Sequence, residues 1–120
     1  MARVKPGKNS RVLLVEDSDA VASTLKTLLE RRGYDVDIAT NVLEGVFMLG
    51  AFDYSAVVLD YVFENFTGSD VEDMTVRRKI PTVFYTASDS IKGARSPIVS
   101  KMGGPAELLE KVDEISEARR

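Results

Sequence analysis

The sequence has no histidine, no cysteine and no tryptophan. Without cysteine there is no disulfide, no thiolate nucleophile and no cysteine metal site. Without histidine there is no imidazole base, no phosphohistidine and no ordinary zinc centre. No apolar run approaches the roughly 20 residues that span a bilayer. The basic start lacks the apolar segment and cleavage site of a signal peptide, so membrane insertion is not expected. Nothing glycine-rich follows the first apolar run, which excludes a dinucleotide fingerprint and a P-loop. Any chemistry must therefore run on carboxylates, hydroxyls, Lys or Arg, and a bound ion. The lack of cysteine suits a cytoplasmic location.

What is present suits one folded domain. The chain has 120 residues, 44% of them hydrophobic and 29% charged, enough for a real core. Its net charge of −3 is uneven. Arg3, Lys5 and Lys8 lie in the first ten residues with no acid, so the other 13 cations face all 19 acids, a body of −6. That acidic body argues against direct nucleic-acid binding. Residues 1–9, with Pro6-Gly7, are expected to form a disordered basic leader before a domain over residues 10–118.

Two apolar, β-branched runs stop at carboxylates. Arg11-Val12-Leu13-Leu14-Val15 ends at Glu16-Asp17, and Ala56-Val57-Val58-Leu59 ends at Asp60. Such runs suit strands buried on both faces of a parallel sheet. Ser18 caps a helix whose apolar face is Val21, Leu25, Leu28 and Leu29, and Gly33 supplies its left-handed stop. A short strand over Tyr34–Ile38 alternates apolar and acidic residues. Asn41 and Glu44 form a capping box for a helix through Val42, Val46, Phe47 and Leu49, weakened by Gly45 and ended by Gly50. Ser69 and Glu72 form another, opening a short helix to about Arg78. Pro81–Thr86 and Pro97–Ser100 read as the last two strands. Gly104-Pro105 opens a final helix with Leu108, Leu109, Val112 and Ile115 as its core face. Strands alternating with helices predict an α/β doubly wound domain with a five-stranded parallel sheet.

Right-handed crossovers put every strand's carboxyl end on one rim. There Glu16 and Asp17 follow strand 1, Asp60 follows strand 3, Thr86 ends strand 4 and Lys101 follows strand 5. If strands 1 and 3 are neighbours, three carboxylates converge, and they must take up protons or bind a cation. Hard oxygen ligands favour Mg²⁺, which bridges carboxylates to phosphate. Lys101 and the Thr86 hydroxyl can meet the other phosphate oxygens. The set suits a phosphoryl group carried on a carboxylate.

These residues resemble the receiver domain of two-component response regulators, and are similar to its single-domain chemotaxis type. The resemblance rests on Val15-Glu16-Asp17, Val57-Val58-Leu59-Asp60, Gly68 eight residues later, Thr86-Ala87 and Lys101. It implies a flavodoxin-like strand order 2-1-3-4-5. It implies that Asp60 accepts a phosphoryl group from a sensor histidine kinase or phosphotransfer protein and that the change alters binding to a downstream protein target. Glu16, Asp17, Asp60 and the Val62 backbone carbonyl would hold Mg²⁺, and Thr86 and Lys101 would contact the phosphoryl oxygens. Such a domain catalyses its own phosphorylation and dephosphorylation and is a switch rather than a turnover enzyme.

The departures cluster after Thr86. Only 14 residues separate it from Lys101, leaving about ten, Ala87–Ser96, for the crossover, so the fourth helix of the family should be short or absent. Ile98 stands where the family usually has a switching aromatic, and Met102 where a Pro often follows the Lys. Output through a different face, by helix 1, the last helix or the 87–96 segment, is therefore expected. The competing reading is a degenerate receiver acting as a phosphorylation-independent interaction module.

Overall fold

A computed structural model describes residues 10–60, 69–87 and 93–119. The expected basic leader, Val62, Gly68 and residues 88–92 of the 87–96 crossover lie outside the described residues. The elements in chain order are β1 (Arg11–Val15), α1 (Asp19–Arg31), β2 (Asp35–Ala39), α2 (Val42–Ala51), β3 (Ala56–Leu59), α3 (Ser69–Arg77), β4 (Thr82–Thr86), β5 (Ile98–Ser100), a 3₁₀ turn (Lys101–Gly103) and α4 (Pro105–Arg119). All strand pairs are parallel, in the order β2-β1-β3-β4-β5. Among the described residues no helix lies between β4 and β5.

The period-2 alternation of buried strands feeds two cores. Val12, Leu14, Val58, Val83 and Tyr85 pack with Leu25 and Leu29 of α1 and Leu108 and Val112 of α4. Leu13, Val15, Val57, Leu59 and Phe84 pack with Leu49 of α2 and Val71 of α3. With both faces covered, β1 and β3 are almost wholly apolar, and polar side chains are left to the strand ends.

Local chemistry sets the helix ends. The Val21 N–H donates to Ser18 Oγ at 3.4 Å, and Gly33 takes φ 96° after α1. The Glu44 N–H donates to Asn41 Oδ1 at 2.8 Å, while Glu44 Oε1 accepts from Thr40 rather than Asn41. Tyr34 donates its hydroxyl to Asp113 at 2.6 Å, and Arg32 also bonds Asp113, which ties α4 to the start of β2.

Two expectations need correction. Phe47 is not on the core face of α2: it is 73% exposed, and the helix buries Val42, Gly45 and Leu49 instead. Gly45 is a packing residue, since a Cβ there would lie 3.3 Å from Val15 Cγ2 on β1. Gly50 does not end α2, which continues to Ala51. Glu72 is buried within α3 and accepts from the Arg95 N–H at 3.0 Å, so its carboxylate serves a distant segment; the Ser69 side chain of the expected capping box lies outside the described residues.

The two glycines of α2 should therefore respond oppositely to substitution. Gly50 has open space around it, so Gly50→Ala should stabilise by about 0.5–1 kcal/mol. Gly45→Val should overpack the α2–β1 contact and cost roughly 1–3 kcal/mol. Urea midpoints check both.

Candidate functional site

The sheet register builds the site. Val15 is level with Leu59 across the β1–β3 pair, so Glu16 and Asp60 follow side by side. The ladder runs one bond further into the acids: the Glu16 N–H donates to Ala39 O and the Asp60 N–H to Val15 O, both at 3.0 Å. Across the β4–β5 pair Thr86 is level with Ser100, and Lys101 comes next. All five residues thus sit at the carboxyl rim because each is at or just past the end of its strand.

Carboxylate oxygens of Glu16, Asp17 and Asp60 all lie within 4.8 Å of one another. Lys101 Nζ donates to Glu16 Oε2 at 3.2 Å and to Asp60 Oδ2 at 3.4 Å. Its ammonium also lies 5.9 Å from the centroid of the Tyr85 ring. Glu16 is buried, and its other oxygen accepts from the Ser18 N–H at 3.2 Å, so the cap of α1 also orients this acid. Thr86 is buried at the end of β4. Val62 lies outside the described residues, so its carbonyl is not placed.

The electrostatics follow from one cation among three acids. A simple ion pair would lower an acid's pKa, yet Glu16 is pushed up. Burial is the larger cause and the neighbouring Asp60 charge the next; the Ser18 N–H and Lys101 only partly oppose them. Burial by itself would lower the Lys101 ammonium, but Asp60 and Glu16 outweigh it and hold it above its ordinary value. The group as a whole is short of positive charge. Three hard oxygen donors so close together suit a divalent cation.

Two features of the surroundings were not legible beforehand. Tyr85 reads as one more apolar strand residue, and only the sheet order puts its ring beside Lys101. Glu72 reads as a cap, and only the fold brings Arg95 to it.

A family model described as the response regulator receiver domain matches residues 12–113. The sensory transduction protein RegX3 of Mycobacterium tuberculosis is 35% identical over 83 residues, which cover 66% of this chain and 35% of that protein. The uncharacterized transcriptional regulatory protein YkoG of Bacillus subtilis is 33% identical over 90 residues, covering 70% of this chain and 38% of its own length. The chain thus spans little more than a third of these curated relatives. Among solved structures, the response regulator TrrA of Thermotoga maritima, in complex with Mg²⁺–BeF, superposes with a TM-score of 0.79 at 26% identity, over 88% of this chain and 98% of that one. TrrA in complex with the histidine kinase ThkA matches at 0.72, over 88% and 97%. Sheet order, matched span and relatives agree: the chain belongs to the response regulator receiver domain family of two-component systems.

Proposed function

We propose that Asp60 is the phosphoacceptor of this receiver domain, and that its phosphorylation alters binding to a protein target. The observation that carries this reading is the Lys101 ammonium held between Asp60 and Glu16, with Asp17 completing the acidic group. An Asp60 oxygen attacks the phosphorus of a phosphohistidine on a sensor histidine kinase or phosphotransfer protein. The P–O bond forms as the P–N bond breaks, and the departing imidazole takes up a proton. Lys101 stays paired to the Asp60 carboxylate and donates to the phosphoryl oxygens, where charge accumulates. Thr86, at the end of the neighbouring strand, offers its hydroxyl to another. Water later attacks the acyl phosphate, which restores the carboxylate and releases phosphate. The domain is a switch and not a turnover enzyme.

The donor set fits Mg²⁺. Glu16, Asp17 and Asp60 would hold it, with the Val62 carbonyl as the further ligand that the resemblance implies. When bound, Mg²⁺ neutralises the acids and the phosphoryl oxygens together. The Mg²⁺–BeF complex of TrrA and the ThkA–TrrA complex support the cation and the kinase partner by similarity. Among the described residues no helix is long and apolar enough to cross a membrane. A cytoplasmic location and a target that is protein, not nucleic acid, complete the reading.

Incubation with Mg²⁺ and a small acyl-phosphate donor, followed by intact mass, should give a single phosphoryl adduct. Asp60→Asn should give none. Lys101→Ala should slow adduct formation by roughly 10²-fold. No adduct on the wild type would favour the phosphorylation-independent interaction module instead.

Metal binding has its own readout. Mg²⁺ at about ten times its Kd should stabilise the wild type by about 1.4 kcal/mol, a rise in Tm of roughly 4–8 °C. Asp17→Asn should gain little from Mg²⁺, because one of the three carboxylate donors is then an uncharged amide. Scanning calorimetry with Mg²⁺ and with EDTA checks both.

A further inference from the structure

The connection from β4 to β5 is short for a parallel crossover. Eleven residues, 87–97, join two parallel strands, a connection that ordinarily takes a dozen or more. β5 itself has three residues and pairs on one side only, with β4. A three-residue edge strand has few ladder bonds to fix its position, yet Lys101 follows it directly. Some other contact must set where β5 begins.

That contact is made by α3. Glu72 is 2% exposed, and its Oε2 accepts the Arg95 N–H at 3.0 Å. The Arg95 Nε lies 3.6 Å from Glu72 Oε1, and the same guanidinium bonds Asp73 on the next position of the helix. Ala94 packs against the core beneath α3. Two residues after Arg95, the Pro97 carbonyl accepts the Phe84 N–H at 2.8 Å and opens the β4–β5 ladder. With Glu72 buried but Arg95 half exposed, the ion pair by itself adds little to stability. What it fixes is geometry: both a backbone N–H and a guanidinium must meet one carboxylate.

We infer that Glu72 and Arg95 are positioning residues for Lys101. Their clamp sets the start of β5 and so holds the ammonium over Asp60. It also links the two chain segments that flank the site, because α3 begins nine residues after Asp60 and Arg95 lies six before Lys101. The inference rests on the phosphoacceptor reading, since Lys101 matters there through the phosphoryl oxygens. Binding at Asp60 and closure of the clamp are then coupled, and each favours the other.

The test uses beryllofluoride with Mg²⁺ as the phosphoryl mimic, its Kd measured by calorimetry well below each variant's Tm. Arg95 is half exposed, so Arg95→Ala should fold while losing the guanidinium contacts to Glu72 and Asp73. It should weaken beryllofluoride binding by about tenfold. Arg95→Lys, which keeps a cation beside both acids, should recover most of that loss. Glu72→Gln, which keeps an acceptor for the Arg95 N–H but not the charge, should weaken binding in the same direction. In ligand-free Arg95→Ala, amide exchange should quicken at Ile98–Lys101 and stay unchanged in β1 and β3. A lower Tm with an unchanged Kd, or exchange that quickens equally in β1, β3 and β5, would overturn the inference, because either result marks a purely structural contact. Absence of beryllofluoride binding by the wild type would overturn the phosphoacceptor reading itself, and this inference with it.

Discussion

The Lys101 ammonium lies between the Glu16 and Asp60 carboxylates, with Asp17 close by, and the rest of the domain can be read as the means of holding that arrangement. Like charges this close cannot all remain ionised without compensation. The Glu16 carboxyl is pushed up, by its burial first and by the neighbouring Asp60 charge second, and Lys101 only partly opposes them. The sheet tolerates this because Glu16 and Asp60 stand one residue beyond β1 and β3, where the ladder still fixes their main chains. A covered parallel sheet confines charge to this rim and lends it a rigid base. Three oxygen donors this close together suit a divalent cation.

Much of this was legible in the residues because the signals were local. Apolar β-branched runs that stop at an acid marked β1 and β3 together with their site residues. Ser18, Gly33 and Asn41 marked helix ends through side-chain and backbone chemistry that needs no tertiary context. The five rim residues could be listed because a parallel sheet puts all strand ends on one side. What stayed hidden was set by helix phase and by distant partners. Phe47 has the right spacing for a core residue, but Gly45 lets α2 approach β1 closely, and the helix then buries the Val42, Gly45 and Leu49 side. Glu72 has the right spacing for a cap, and its contact with Arg95 could be seen only in the fold. The closeness of the three acids depended on β1 and β3 being neighbours, which the resemblance implied and the strand order shows.

The economy after Thr86 shapes how such a domain can report its state. Among the described residues no helix covers the stretch between β4 and β5, and Ile98, at the usual place of a switching aromatic, is 37% exposed. Ala94 packs against the core that includes Val71 of α3, and Arg95 contacts α3 through Glu72 and Asp73. Arg95 on one side and Lys101 on the other tie the β5 segment to α3 and to the rim acids. Under the proposed function, a change in charge at Asp60 would reach α3 through Lys101, β5 and Arg95.

The most direct test of the central claim is to locate the phosphoryl group chemically. Borohydride cleaves an aspartyl phosphate and leaves homoserine in its place, which peptide mass spectrometry can assign to a residue. After phosphorylation in Mg²⁺, homoserine should appear at position 60 and at no other acid of the rim. Homoserine at position 17, or none anywhere in a chain that carries a phosphoryl group, would contradict the account.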